Sequence, residues 1–194
     1  MTSIVLMFFV FDAKATVYTS IADGNYNNCA IWDVGCPNNT IQNGDTVIIN
    51  HVISASSSMN IEGVLEINPS GSFTNTNTID VNPLGVVSND GYFSTLGELH
   101  LDGYFFNSSV SEIQDLHVDG YVCNTGTIQV SGETFIHGGI IECNGTLNTC
   151  DLDMDNNDAS VPVTGSSSSF LQGQDICCNA NSSNPLDDLS ADWL

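Results

Sequence analysis

Positive charge is almost missing from this chain. Its 194 residues include one Lys or Arg, Lys14, against 23 Asp and Glu, a formal net charge of −22. A phosphate backbone is bound by replacing its counterions with Lys and Arg, so nucleic-acid binding is excluded as a function class. Anionic membrane surfaces are disfavoured for the same reason. Divalent cations and neutral or cationic surfaces remain attractive partners. Charged residues make up only 12% of the chain and hydrophobic residues 41%, so this is not a disordered acidic tail and a core can form.

Other absences narrow the field further. No Cys-x-x-Cys pair occurs among the seven cysteines, and Cys29 and Cys36 lack the companion ligands of a zinc ribbon. There is no G-x-S-x-G elbow and no His-Glu-x-x-His helix motif. No useful window has helical periodicity. The apolar run from Ile4 to Phe11 is too short to cross a bilayer. Followed by the small-x-small pattern Ala13-Lys14-Ala15, it predicts a signal peptide over residues 1–15, truncated at its basic n-region, that leaves Thr16 first. After its removal no membrane insertion is expected. The other reading of this run is a buried first strand. Seven cysteines suit an oxidising, extracellular compartment.

What the chain does have is a repeated phrase: glycine, two bulky or apolar residues, a spacer, asparagine. It reads Gly71-Ser72-Phe73-Thr74-Asn75, Gly85-Val86-Val87-Ser88-Asn89, Gly103-Tyr104-Phe105-Phe106-Asn107 and Gly120-Tyr121-Val122-Cys123-Asn124. A looser copy runs from Gly139 to Asn144. Between the copies, Leu65-Glu66-Ile67, Ile79-Asp80-Val81, Leu99-His100-Leu101, Leu116-His117-Val118 and Ile128-Gln129-Val130 each put two apolar side chains on one face and a polar one on the other. Turn residues such as Asn68-Pro69 and Asn82-Pro83 punctuate these strands.

The phrases start at 71, 85, 103, 120 and 139, in steps of 14, 18, 17 and 19. Self-similarity near twenty residues, with two or three short strands per unit, predicts an all-β, parallel, right-handed β-helix in which each unit is one rung. An antiparallel sandwich also uses regularly spaced short strands. It offers no reason for Asn to recur at one place in each unit, whereas stacked rungs about 4.8 Å apart let amides bond along a column. Asn75, Asn89, Asn107, Asn124 and Asn144 are the expected ladder; alternatively each occupies its own left-handed turn position. The predicted organisation is an N-terminal cap over 16–44, a solenoid over 45–152, and an irregular C-terminal cap with an acidic, Ser-rich tail over 153–194.

One segment carries a family resemblance. Asp23-Gly24-Asn25-Tyr26-Asn27, Ile31-Trp32, Pro37 and Gly44-Asp45-Thr46-Val47-Ile48-Ile49-Asn50-His51 resemble the opening of secreted Bacteroidetes-type surface proteins, related in pattern to G8-like β-domains. The resemblance implies a cap on a parallel β-solenoid and an exported, cell-surface or extracellular protein. Tyr26 stands where that pattern has Trp, and Cys29 and Cys36 bracket the Trp32 loop, where a disulfide would staple the cap.

The ladder register also predicts a Cys123–Cys143 disulfide, since each cysteine precedes a ladder Asn, and then a bridge from Cys150 to Cys177 or Cys178. A reduced, buried cysteine column is the alternative. Glu98-Leu99-His100-Leu101-Asp102-Gly103-Tyr104 and Asp115-Leu116-His117-Val118-Asp119-Gly120-Tyr121 share one motif, which points His100 and His117 outward as neighbours flanked by Asp102 and Asp119. Imidazole with carboxylate is a divalent-metal donor set. The plain alternative is a column of solvated positions filled elsewhere by Glu66, Asp80 and Gln129. Asp151, Asp153 and Asp155 alternate as in a calcium loop, although Asn156 and Pro162 stand where an EF-hand has its Gly and closing Glu. Calcium is thus a candidate cofactor and a solvated acidic loop the alternative.

Parallel β-helices include polysaccharide lyases, but lysis of a polyuronate needs a cationic residue that the mature chain lacks. Paired carboxylates for a glycosidase arise in any acidic ladder and carry little weight. The expected role is non-catalytic: a secreted structural or adhesive solenoid of a bacterial surface or extracellular fibre, open to end-to-end self-association through its strand edges. The rival is a carbohydrate-binding or carbohydrate-active module, with Tyr92, Tyr104 and Tyr121 as stacking platforms for surface glycans.

Overall fold

The computed structural model describes residues 15–154, so the segment read as a signal peptide, the C-terminal tail, Asp155, Cys177 and Cys178 lie outside the described residues. Nearly all regular structure is short strand. An N-terminal turn consists of β1 (Val17–Thr19), β2 (Gly24–Asn25) and β3 (Thr40–Ile41). On it stacks β4 (Thr46–Ile49), β5 (Val52–Ala55) and β6 (Met59–Ile61), then β7 (Val64–Ile67), β8 (Ser72–Asn75) and β9 (Ile79–Val81). The fourth turn is β10 (Val86–Asn89) with the long β11 (Tyr92–Leu101), and the fifth is β12 (Tyr104–Asn107) with β13 (Val110–Val118). The last two are β14 (Tyr121–Asn124), β15 (Thr127–Val130) and β16 (Glu133–Ile136), then β17 (Ile140–Cys143), β18 (Thr146–Asn148) and β19 (Asp151–Met154).

The strand pairings are parallel, and each strand bonds to its counterpart one turn away. Three faces result. The first runs β1-β4-β7-β10-β12-β14-β17. The second runs through β2, β5, β8 and the first half of β11 to β13, β15 and β18; the third takes β3, β6, β9, the second half of β11, and then β13, β16 and β19. Where β11 passes from the second face to the third, the register with β13 shifts between Thr95 and Glu98, the extra residue forming a bulge at the corner. The all-β parallel solenoid expected from the repeat is thus the observed fold. Among the described residues no helix is long and apolar enough to cross a membrane.

Alternation explains the core. Along the first face Val47, Leu65, Val87, Phe105, Val122 and Ile141 point inward in register and are buried. Phe73, Phe93 and Phe105 form a ring column with centroids 6.2 and 5.5 Å apart. Tyr26 closes this column at the N-terminal end, edge-on to Phe73 at 6.1 Å and to Trp32 at 5.5 Å. Its hydroxyl donates to Asn38 C=O, and Trp32 Nε1 donates to Tyr26 C=O at 2.9 Å. Burial raises the Tyr26 phenol pKa well above its ordinary value, so it stays a donor. The expected cap over 16–44 therefore supplies a turn of the solenoid together with a plug, and the plug's loop is held by the Cys29–Cys36 disulfide.

The glycine of each phrase is required by crowding, not by turn geometry. A Cβ on Gly120 would meet the carbonyl of Gly103, and one on Gly139 would lie 2.6 Å from Gly120 O. Neither has a positive φ. Consecutive turns approach too closely at this corner for any side chain.

The asparagines divide differently from expectation. Asn89, Asn107 and Asn124 share a buried column on the first face, with Asn89 Nδ2 donating to Asn107 Oδ1 and Asn107 Nδ2 to Asn124 Oδ1, both at 2.8 Å. Asn75 is buried on the second face, between Ala55 and Thr95, and donates to Ser57 C=O instead. The 14-residue step from Gly71 to Gly85 was thus less than a turn: it crosses faces. Asn144 is exposed in the bend after β17, because Cys143 takes the register position opposite Asn124. The same register overturns the Cys123–Cys143 bridge. Cys123 stands opposite Glu142 and is a free thiol, so the two cysteines occupy positions of opposite parity.

Candidate functional site

The third face gathers most of the polar chemistry. Its outward column is Thr40, Asn60, Asp80, His100, His117, Phe135 and Asp153, one residue per turn. Turn residues beside this column add Asn82, Asp102, Asp119 and His137, enclosing a groove of about 400 Å³. Three of the chain's four histidines line it.

His100 sits between two carboxylates. Its Nδ1 lies 3.1 Å from Asp80 Oδ1 on the preceding turn, and its Nε2 lies 3.0 Å from Glu98 Oε2 on its own strand. The His117 ring meets it edge-on, with centroids 4.7 Å apart, and stacks on Phe135 at 4.6 Å. His137 stacks on His117 at 5.8 Å. Partial burial lowers the pKa of His117, and the neighbouring His100 lowers it further, which favours the neutral imidazole with a lone pair to offer. One donor atom each from Glu98, His100 and His117 falls within 4.8 Å of the others. The carboxamide oxygen of Asn60, at the same groove, is buried and has no hydrogen-bond partner among the described residues.

The sequence paired His100 with His117, and they are neighbours by strand register. Asp102 and Asp119 lie along the groove wall. Glu98, Asp80 and His137 are not in the metal set that the sequence predicts: the acidic residue two places before His100 and the i−20 partner Asp80 stand in the sequence, but only the register brings them to one ring. Two supposed equivalents belong elsewhere: Glu66 is on the first face and Gln129 on the second, opposite Glu112. The expected calcium loop continues beyond the described residues at Asp155, and its first half is a strand, not a loop. Asp151 and Asp153 are exposed alternate positions of a strand, β19, paired with Glu133 and Phe135.

The tyrosines fall on two faces. Tyr92 lies on the second face, and its hydroxyl donates to Glu112 Oε2 at 2.6 Å. Tyr104 and Tyr121 are register partners on the first face, with centroids 6.4 Å apart. Phe106, which sequence reading passed over, completes this cluster: it is parallel to Tyr104 at 6.3 Å and lies 6.2 Å from Tyr121. Tyr104 is 44% and Phe106 40% exposed. Tyr121 donates to the Glu142 carboxylate on the next turn, which pushes its pKa up to about 12. Val86 and Ile140 extend the apolar strip along the same outward column.

Comparison with known proteins found no matching family model, no matching curated protein and no matching solved structure.

Proposed function

We propose that this chain is a secreted, non-catalytic adhesive solenoid of a bacterial surface or extracellular fibre, and that its first face holds neutral carbohydrate. The observation that carries this reading is the Tyr104–Phe106–Tyr121 cluster on a parallel sheet, with Tyr104 and Phe106 exposed and Tyr121 half-buried beside them. Rings held by strand register are pre-ordered, so a sugar's C–H face meets them with little entropy left to lose. The Glu142 carboxylate and Tyr121 hydroxyl beside them supply polar contacts for ring hydroxyls. A formal charge of −22 repels uronates and sulfated glycans, which leaves neutral polymers as the favoured class.

The resemblance of the 16–55 segment to Bacteroidetes-type surface proteins supports export, as does the Cys29–Cys36 disulfide. The test is binding of the full chain to immobilised neutral glycans, β-linked glucans, mannans and chitin oligomers, beside anionic ones. Tyr104→Ala is expected to weaken the best neutral ligand by about 10-fold or more. Preference for anionic glycans, equal binding by Tyr104→Ala, or filaments with no glycan binding at all would each overturn the carbohydrate reading.

A further inference from the structure

On the face away from the aromatic cluster, we propose that Glu98, His100 and His117 form a binding site for one divalent transition-metal ion, zinc above all. The argument starts from His100. A neutral imidazole carries one N–H, which satisfies Asp80 or Glu98 but not both. With Nδ1–H given to Asp80 at 3.1 Å, the 3.0 Å gap between Nε2 and the Glu98 carboxylate needs a cation, either a second proton or a metal ion.

The surrounding donors favour the metal. Zinc bonds to imidazole and carboxylate of about 2.0–2.1 Å give a tetrahedral edge of roughly 3.3 Å, close to the observed separation. His117 provides a third donor from the next turn, placed by the His100–His117 register, with its ligand atom within 4.8 Å of those of Glu98 and His100. Asp80 then plays the outer-sphere role that fixes ring orientation and raises the basicity of a metal-bound imidazole. Water completes the tetrahedron from the groove, where Asp102 and Asp119 add negative potential. Two imidazoles and a carboxylate select late first-row ions over calcium, which prefers six to eight oxygens.

The test uses the tag-free full chain, stripped with chelator, in calorimetric titration with zinc chloride at neutral pH and in millimolar calcium. Saturable 1:1 binding that calcium does not displace is expected, with His100→Ala and His117→Ala each at least about 10-fold weaker and Asp80→Asn weaker by about 10-fold. His51→Ala, outside the groove, and Cys123→Ser, removing a half-buried thiol, should bind as the parent does. Cobalt substitution should give tetrahedral d–d bands without thiolate charge-transfer absorption. Circular dichroism identical to the parent shows that the variants fold. Absence of saturable binding, displacement by calcium, or unchanged affinity in the His100→Ala/His117→Ala double variant would overturn the site.

Discussion

Replacing Asn107 by Ala would remove the centre of the buried amide column. The side chain accepts from Asn89 Nδ2 and Ser111 Oγ, both at 2.8 Å, and donates to Asn124 Oδ1 at 2.8 Å and Ser109 C=O at 3.0 Å. Asn89 keeps its bond to Val110 C=O, so the loss on that side is partial. On the other side the two amide hydrogens of Asn107, shared among Asn124 Oδ1 and the Ser109 and Thr127 carbonyls, are lost. A stranded buried group costs about 1–3 kcal/mol, so two of them put the destabilisation at about 2–6 kcal/mol. Asn107→Asp should be worse, because it keeps the acceptors, loses the donor and buries a charge against Asn124 Oδ1. The exposed Asn144→Ala serves as control and should stay within about 0.5 kcal/mol of the parent. Urea unfolding followed by far-ultraviolet circular dichroism reads all three. Equal midpoints for Asn107→Ala and Asn144→Ala would refute the ladder, and additive effects of Asn89→Ala and Asn107→Ala would refute coupling along it.

Two further outcomes are expected. Cys29→Ser should lower stability by about 2.5 kcal/mol on the chain-entropy account of a loop whose ends are seven residues apart, with the largest losses of hydrogen-exchange protection around Tyr26 and Trp32; unchanged protection there would contradict the plug. Tyr121 should titrate at about 12 in absorbance, assigned by difference with Tyr121→Phe, and Glu142→Gln should bring it down toward 10. Because the folded-state value is raised, the stabilisation from this bond is complete below the unfolded phenol's pKa and is lost as pH rises through the folded one.

The sequence made the strands and the parallel stack legible because alternation of apolar and polar residues has a period of two whatever face a strand lies on. That same indifference hid the faces. Phe73-Thr74-Asn75 and Val87-Ser88-Asn89 read as one phrase, yet corner lengths send them to different sheets. Glu66, Asp80 and Gln129 read as one position and occupy three faces. Within turns of matching length the prediction held, as with His100 and His117, 17 residues apart. A single added residue was enough to break it: in Gly139–Asn144 it moves Cys143 into the Asn124 register and puts Asn144 in the bend. Phe106 is hidden in the sequence because an aromatic after Phe105 reads as core until alternation assigns one ring inward and the next outward.

The aromatic cluster and the histidine groove depend on one register, and it can be fixed covalently. Glu112 and Gln129 are outward partners on β13 and β15, so paired cysteines there have the Cα separation a disulfide tolerates. Moving the second cysteine to Thr127 displaces it two residues along the strand, to roughly 8 Å, beyond bridging range. Mild oxidation of the two double variants with peptide mass mapping should show a 112–129 bridge in Glu112→Cys/Gln129→Cys and none in Glu112→Cys/Thr127→Cys. A 112–127 bridge, or no bridge in either, would contradict the stacked register on which the aromatic cluster and the histidine groove both rest.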